Sequence, residues 1–336
     1  MRTYKEIVKN YILIYNKGEC VLKLYPMVLT PFVSETVWGG RRLIDEYSVV
    51  TDKRNAAEAW VMSAHKNGSS TVANGEFAGR TLREVYLEHP ELGGKNCAGF
   101  SDFPVLIKFI DAAADLSVQV HPDDAYCLKK GSGAGKTESW YILDCEPGAY
   151  LLLGFEKDIT REQFRQSITD GTLTDYVKKV PVKKGDFFFI ESGTLHAICK
   201  GILLAEVQQN SDTTYRIYDY GRLGFDGKPR ELHVEDAVNV THTGVYKNPC
   251  TPKKDGNVTN LVACPFFTER VLDIDGSFDG TADEKSFVSL LILDGSGSLE
   301  CAGETLEFSK GCSIFIPANC GDYKINGEAK ILETRV

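Results

Sequence analysis

The sequence predicts a mainly β protein: a catalytic N-terminal double-sheet barrel, a degenerate C-terminal copy of it, and a few short helices. Three observations carry this. First, apolar runs are short and separated by glycine-containing turns, as in sandwiches and barrels. Second, helical spacing is confined to a few brief stretches. Third, KKGDFFFIESGTLH (183–196) matches SKGCSIFIPANCGD (309–322), and WYILD (140–144) echoes LLILD (290–294). In the second copy Val288 stands where Glu138 stood and Asp322 where His196 stood, so the scaffold recurs without its polar side chains. Repeated short strands with glycine turns point to the jelly-roll or cupin barrel, the double-stranded β-helix.

The opening residues, 1–25, admit two readings: a short extra helix or strand, or an upstream start with Met27 as the functional beginning. Pro26–Leu43 reads as a strand ending at the Trp38-Gly39-Gly40 turn, where Gly-Gly permits backbone angles other residues avoid. Ala56–Ser63 reads as a strand. Thr81–His89 has helical spacing, with Pro90 closing it. Phe103–Ile110 is a dense β run, and Gly148–Phe155 another. Thr160-x-x-Gln163 is a capping box opening a helix to Ile168. A second helical piece, Leu173–Lys179, completes a small excursion over 156–180. Phe187–Ile190 is a strand, His196 opens the next, and Leu203–Gln209 alternates with Glu206 and Gln208 on one face. Asn210–Arg222 reads as a structured loop and Glu231–Val240 as a helix. Thr251–Asn257 is the linker candidate between a catalytic unit (26–250) and a C-terminal unit (251–336). Beyond it, strands are expected at Phe266–Leu272, Phe287–Asp294, Gly297–Cys301, Glu304–Phe308 and Ser313–Pro317.

The chain's chemistry concentrates in Leu116–Tyr141. Side chains alternate across a strand, so Ser117, Gln119 and His121 share one face while Val118 and Val120 point into apolar packing. A loop with Gly131, Gly133 and Gly135 follows, and then Lys136, Glu138 and Trp140 alternate onto one face of a second strand. Either histidine alone reads most simply as an ordinary core residue. Together with Glu138 and Gln119 the set suits a mononuclear divalent metal at a water-bearing site: zinc, or nearly as well manganese, iron or cobalt. An inward carboxylate such as Glu138 needs a partner, and a metal supplies one. GSGAGKT is not a phosphate-binding Walker loop, because Lys130 occupies the required first glycine and no helix follows. Lys136 remains open between a phosphate contact and a surface lysine. Arg216 remains open between a ligand contact and a pairing with Asp212 or Asp219. Asp123-Asp124 reads as a turn and helix cap.

Composition bounds the rest. The 336 residues carry 43% hydrophobic and 25% charged residues, ordinary for a globular chain. A formal charge of −9 without a basic stripe argues against nucleic acid. Ten cysteines without regular spacing, and no evident leader or membrane-length apolar run, suggest buried thiols in the cytoplasm.

These motifs resemble type I mannose-6-phosphate isomerase (phosphomannose isomerase) in its shorter bacterial form, a member of the cupin superfamily. The resemblance rests on Trp38-Gly39-Gly40, Ser117-x-Gln119-x-His121-Pro122, Gly135-Lys136-Thr137-Glu138, Gly193-Thr194-x-His196 and Ser211-Asp212-x-x-x-Arg216. It implies a metal, usually Zn2+, with Mn2+ or Co2+ as substitutes, held by Gln119, His121, Glu138 and His196. It implies interconversion of mannose 6-phosphate and fructose 6-phosphate through a cis-enediol. Arg216, Lys136 and Glu206 match active-site positions, and Ser117, Lys136 and Arg216 match positions at the substrate or its phosphate. Thr213 and Tyr218 depart from the longer enzymes, and the large helical insert of those enzymes is absent. The implied partner is a small phosphorylated sugar, with no nucleic acid or membrane, and the chain is expected as a monomer or weak homo-oligomer. Two rivals differ in kind: another metal cupin such as a dioxygenase, and a non-catalytic cupin sugar-binding protein. Gln119 with nearby Lys136 and Arg216 favours a phosphorylated sugar over the first, and no output module supports the second.

Overall fold

A computed structural model describes residues 22–336, so the readings for the first 21 residues lie outside the described part. Two sheets face each other in the N-terminal half. A six-stranded sheet runs in the order Phe187–Ile190, Glu138–Cys145, Ile202–Gln209, Val105–Ala112, Glu58–Met62, Phe32–Ser34. A five-stranded sheet runs Val177–Pro181, Tyr150–Phe155, His196–Ile198, Val118–Val120, Tyr215–Tyr218. All neighbouring pairs in both are antiparallel. Between them lies an apolar floor that includes Ile110, Trp140, Ile142, Leu151, Leu153, Ile190, Ile198 and Leu204. Val118 and Val120 bury on the other side, among Phe155, Phe164 and Val238, under the helices Arg161–Thr169 and Val234–Val240. The alternation that sent the valines outward is what turns Gln119 inward.

The third sheet is nine-stranded and contains three long strands, Thr268–Ala282, Val288–Cys301 and Gly321–Arg335. Gly327 pairs with both Gly276 and Gly297 at mid-strand. A Cβ on Gly297 would meet the Asn326 carbonyl oxygen at 2.2 Å, so the strands close up there only because the side chains are missing. The N-terminal strand Met27–Thr30 joins this same sheet, pairing with Ser313–Ile316 on one side and Thr71–Val72 on the other.

The repeat seen in the sequence has a counterpart in register. Ile190 pairs with Glu138, and Ile316 pairs with Val288. Between the two halves the outer face of the six-stranded sheet (Ile107, Phe109, Leu203, Ala205, Val207) shares one buried cluster with Phe267, Val271, Leu291, Phe315 and Leu332.

Several elements differ from expectation. Leu173–Asp175 is a single 3-10 turn, and Val177–Pro181 is an edge strand whose ladder is on Tyr150–Phe155. Tyr215–Tyr218 is a strand on the rim of the five-stranded sheet rather than loop. The expected linker holds a strand, Lys253–Asp255, turned through Gly256 onto Val258–Ala263. Phe287–Asp294 and Gly297–Cys301 are one strand. Gly39 and Gly40 have no positive φ; their role is close approach, since a Cβ on Gly40 would sit 2.0 Å from an Asp111 carboxylate oxygen. That carboxylate accepts the Arg42 backbone N–H at 2.9 Å and starts a short helix, Arg42–Tyr47. No helix among the described residues is long and apolar enough to cross a membrane.

Candidate active site

His121, Glu138 and His196 come from three strand ends and meet inside the first barrel, with ligand atoms all within 4.8 Å of one another. Each is at most 1% exposed. Both imidazoles are oriented from behind: His121 Nδ1 lies 2.9 Å from the Thr213 carbonyl oxygen and His196 Nδ1 lies 2.9 Å from that of Thr194. An Nδ1–H donating to a backbone carbonyl leaves Nε2 as a free lone pair, the usual arrangement behind a metal-bound histidine. Burial, and then the Lys136 charge, hold the His121 imidazole well below its ordinary range and lower that of His196 to about 4. The contacts of 3.5 and 3.3 Å from these rings to Glu138 are therefore not ion pairs at neutral pH.

Glu138 is fully buried, and its Oε1 has no hydrogen-bond partner among the described residues. Its Oε2 accepts a hydrogen bond from Lys136 Nζ, which also sits 3.1 Å from His121 Nε2. Burial raises this carboxyl to about 8, Lys136 opposing and Glu206 reinforcing the rise. A carboxylate oxygen left orphaned beside two neutral imidazole lone pairs is a donor set that fits a divalent cation. Gln119 completes the rim. Its side-chain amide is 3.3 Å from His196 Nε2, and a half-turn about its terminal bond presents Oε1 to the same point.

From Gln119 the contacts continue outward. Ser117 Oγ donates to Gln119 Oε1 at 3.3 Å, and Arg216 Nε donates to Ser117 Oγ at 3.2 Å. Arg216 faces Gln119 across the ladder and also donates to the Glu231 carbonyl at 3.1 Å. It makes no ion pair with Asp212 or Asp219; Asp219 is occupied by Arg222 and Arg230, and Asp212 faces His65 and Asn67. Lys136 is 5% exposed, which excludes a surface lysine.

Glu206 lies on the same inner face, opposite Lys108 and Trp140 across two ladders. Trp140 Nε1 donates to Glu206 Oε1 at 3.0 Å, and Lys108 Nζ is 3.1 Å from Oε2 and 3.5 Å from Glu58 Oε2. Although burial opposes it, the Lys108 charge holds Glu206 well below the usual carboxylate range. The structure thus brings Ser117, Gln119, His121, Lys136, Glu138, His196, Glu206 and Arg216 together, sets Trp140 between Glu206 and His196, and adds Lys108 and Glu58. Lys108 left a signal, as a charged residue inside the otherwise apolar FPVLIKFI run can only be buried or at an edge.

The fold and the His/Glu/His cluster define a metal-binding cupin enzyme. Residues 27–141 match the model of the phosphomannose isomerase type I catalytic domain, and residues 257–336 match that of the mannose-6-phosphate isomerase cupin domain. The probable mannose-6-phosphate isomerase GmuF of Bacillus subtilis is 40% identical over 316 residues, covering 92% of this chain and 98% of the relative. The mannose-6-phosphate isomerase of Streptococcus mutans is 38% identical, covering 91% and 97%. The crystal structure of the mannose 6-phosphate isomerase from Bacillus subtilis superposes with a TM-score of 0.85 at 36% identity, covering 93% of this chain and 99% of that one. The chain belongs to the type I mannose-6-phosphate isomerase family.

Proposed function

We propose that the protein interconverts D-mannose 6-phosphate and D-fructose 6-phosphate as a metal-dependent aldose–ketose isomerase. The observation that carries this is the orphaned Glu138 oxygen between two buried, neutral histidines, linked by unbroken contacts to Arg216. Family membership supplies the substrate. His121, Glu138, His196 and Gln119 would hold the metal, taken as Zn2+ with Mn2+ or Co2+ as substitutes. When bound, the cation would supply Lewis acidity toward the sugar carbonyl.

The remaining work falls to the chain's own groups. Arg216 and Ser117 bind the phosphate end, the guanidinium supplying charge and the hydroxyl fixing its direction. Arg216 stays protonated and acts electrostatically rather than as a base. The reaction moves a proton from C2 of the aldose to C1 of the ketose through a cis-enediol, and a second proton between the two oxygens. Lys136 is assigned to proton movement, because its ammonium touches both Glu138 and His121. Glu206, already accepting from Trp140 and facing Lys108, is a weak base and is assigned to offsetting charge at the site. Residues 26–250 form the catalytic unit and 251–336 a unit without metal ligands. A cytoplasmic monomer or weak homo-oligomer that binds no nucleic acid completes the reading.

The test is turnover of mannose 6-phosphate to fructose 6-phosphate in a coupled assay, as isolated, after chelation, and after return of zinc, manganese or cobalt. Activity that disappears on chelation and returns with a metal is expected. A folded, metal-loaded protein without turnover would refute the reaction, and turnover surviving verified metal removal would refute the metal role.

A further inference from the structure

The sheet of the C-terminal half is not inert backing for the site. Glu269, near the start of the long strand Thr268–Ala282, is 4% exposed and points across the interface between the halves. No cation among the described residues pairs with it. Its hydrogen-bond partner is Ser139, whose hydroxyl meets Glu269 Oε1 and also lies 3.3 Å from the Val207 carbonyl oxygen. Ser139 and Val207 face each other across the ladder that joins Glu138–Cys145 to Ile202–Gln209. They are the immediate neighbours of Glu138 on one strand and of Glu206 and Gln208 on the other, with their side chains on the opposite face of the sheet.

We infer that Glu269 is a positioning residue, which holds the strand carrying Glu138 through Ser139 and the Val207 carbonyl. Burial pushes the Glu269 carboxyl up to about 8, so at neutral pH it is an acid with a proton to give. Its O–H then donates to Ser139 Oγ, and the serine proton is free to go to Val207 O. Each donor in that chain has an acceptor, whereas an ionised Glu269 would compete with Val207 for the single serine proton. The surroundings are polar in the same row. Thr334 and Ser289, which follow Glu269 in register across the next two strands, are buried with hydroxyls that have no hydrogen-bond partner among the described residues. A sheet that served only as an apolar cover would carry aliphatic side chains there. Partners that hydrogen-bond a metal ligand directly typically change metal affinity or activity about 10- to 100-fold when removed. Glu269 acts one contact further back, through the strand, so the low end of that range is the expected effect.

The inference rests on Glu138 as a metal ligand, and the experiment separates the two. Zn2+ affinity is measured by competition with a chromophoric chelator, and Co2+ loading by visible absorption, on wild type, Glu269→Gln, Glu269→Ala and Ser139→Ala. Steady-state kcat and KM are measured in parallel. Wild type that binds neither metal overturns the ligand assignment itself. If wild type binds, Glu269→Ala and Ser139→Ala are expected to lose about tenfold in Zn2+ affinity and in kcat. KM is expected to stay within about twofold of wild type, because Arg216 and Ser117 sit on the opposite sheet. Glu269→Gln, whose amide N–H still donates to Ser139, is expected to recover to within about threefold. Unchanged metal affinity and kcat in both Glu269→Ala and Ser139→Ala would overturn the inference, even with lowered thermal stability. Should Glu269→Ala not fold, Ser139→Ala, which removes one hydroxyl, decides the matter alone by the same readouts.

Discussion

Replacing Lys108 by Met tests how the second carboxylate of the site is kept ionised. The lysine side chain is 8% exposed and Glu206 is 3% exposed. The ammonium lies 3.1 Å from Glu206 Oε2, 3.5 Å from Glu58 Oε2, and 5.1 Å from the centre of the Trp60 ring. Without it the Glu206 carboxylate is left with the Trp140 N–H and the charge of Lys136, with no ion-pair partner among the described residues. Two routes to the cost converge. Removing one partner of a buried ion pair costs about 3–5 kcal/mol. Alternatively the carboxyl takes up a proton: moving it from its ordinary value of 4.5 to neutrality at pH 7 costs about 3.4 kcal/mol, at about 1.4 kcal/mol per unit. Met fills most of the lysine stem's volume, so cavity formation adds little. Equilibrium denaturation of metal-free protein at pH 7 is expected to show a loss of about 3–5 kcal/mol for Lys108→Met. Glu206→Gln in the same background is expected to return most of it, since the buried carboxylate that lost its partner is then gone. The deficit should also shrink as pH falls from 7 toward 5, because protonation removes the uncompensated charge. A loss under about 1 kcal/mol, or a double variant no more stable than Lys108→Met, would refute the reasoning.

Three further predictions follow from single contacts. Glu269 has a raised folded-state pKa, so its contribution is intact below about pH 4.5 and is lost as pH rises toward 8. Wild-type stability should therefore fall over that window by up to about 1.4 kcal/mol per unit, and Glu269→Gln should flatten the slope; parallel slopes would refute it. Thr160→Ala removes a capping box in which Thr160 and Gln163 each accept the other's backbone N–H, and should cost about 1 kcal/mol by denaturation with kcat unchanged. Cys301 and Cys320 have sulfur atoms 3.4 Å apart. Treatment with a small-molecule disulfide is expected to convert them to a cystine, releasing two thiols of reagent per bond, seen by mass spectrometry as a crosslinked peptide that Cys320→Ser abolishes.

The inward-facing set was readable because strand parity is strict. Once Val118 and Val120 are taken as core, Gln119 and His121 have no choice of face, and the same parity places Glu138 with Trp140. Parity also contained Lys108, but an eight-residue apolar run argues for burial so strongly that a cation within it passes as tolerated rather than functional. Tyr215–Tyr218 escaped for a different reason: its two-residue period, with Tyr215 and Ile217 buried beside Val118 and Val120, is too short to stand out within a polar, tyrosine-rich stretch. The supposed linker at Thr251–Asn257 failed because its charged, exposed Lys253–Asp255 strand has no apolar period, although Asp255-Gly256 turns it straight onto Val258–Ala263. The helix at Leu173–Lys179 failed because a short segment takes the structure that a neighbour distant in sequence, here Tyr150–Phe155, imposes. The long strands of the C-terminal sheet read as separate pieces because glycines at their bends look like turns.

The pairing of Met27–Thr30 with Ser313–Ile316 ties the order of folding to the order of synthesis. A nascent chain that has emerged as far as Cys250 holds every residue of the candidate site and both sheets of the N-terminal half. Its first strand still lacks the partner that covers one edge. Until Ser313–Ile316 leaves the ribosome, an apolar strand and the outer face of the six-stranded sheet stay open to other chains. Closure between positions so far apart in sequence is slow, because the entropy of the loop is spent before the contact returns anything. Premature termination after the last catalytic residue would thus yield not a minimal enzyme but an aggregation-prone half.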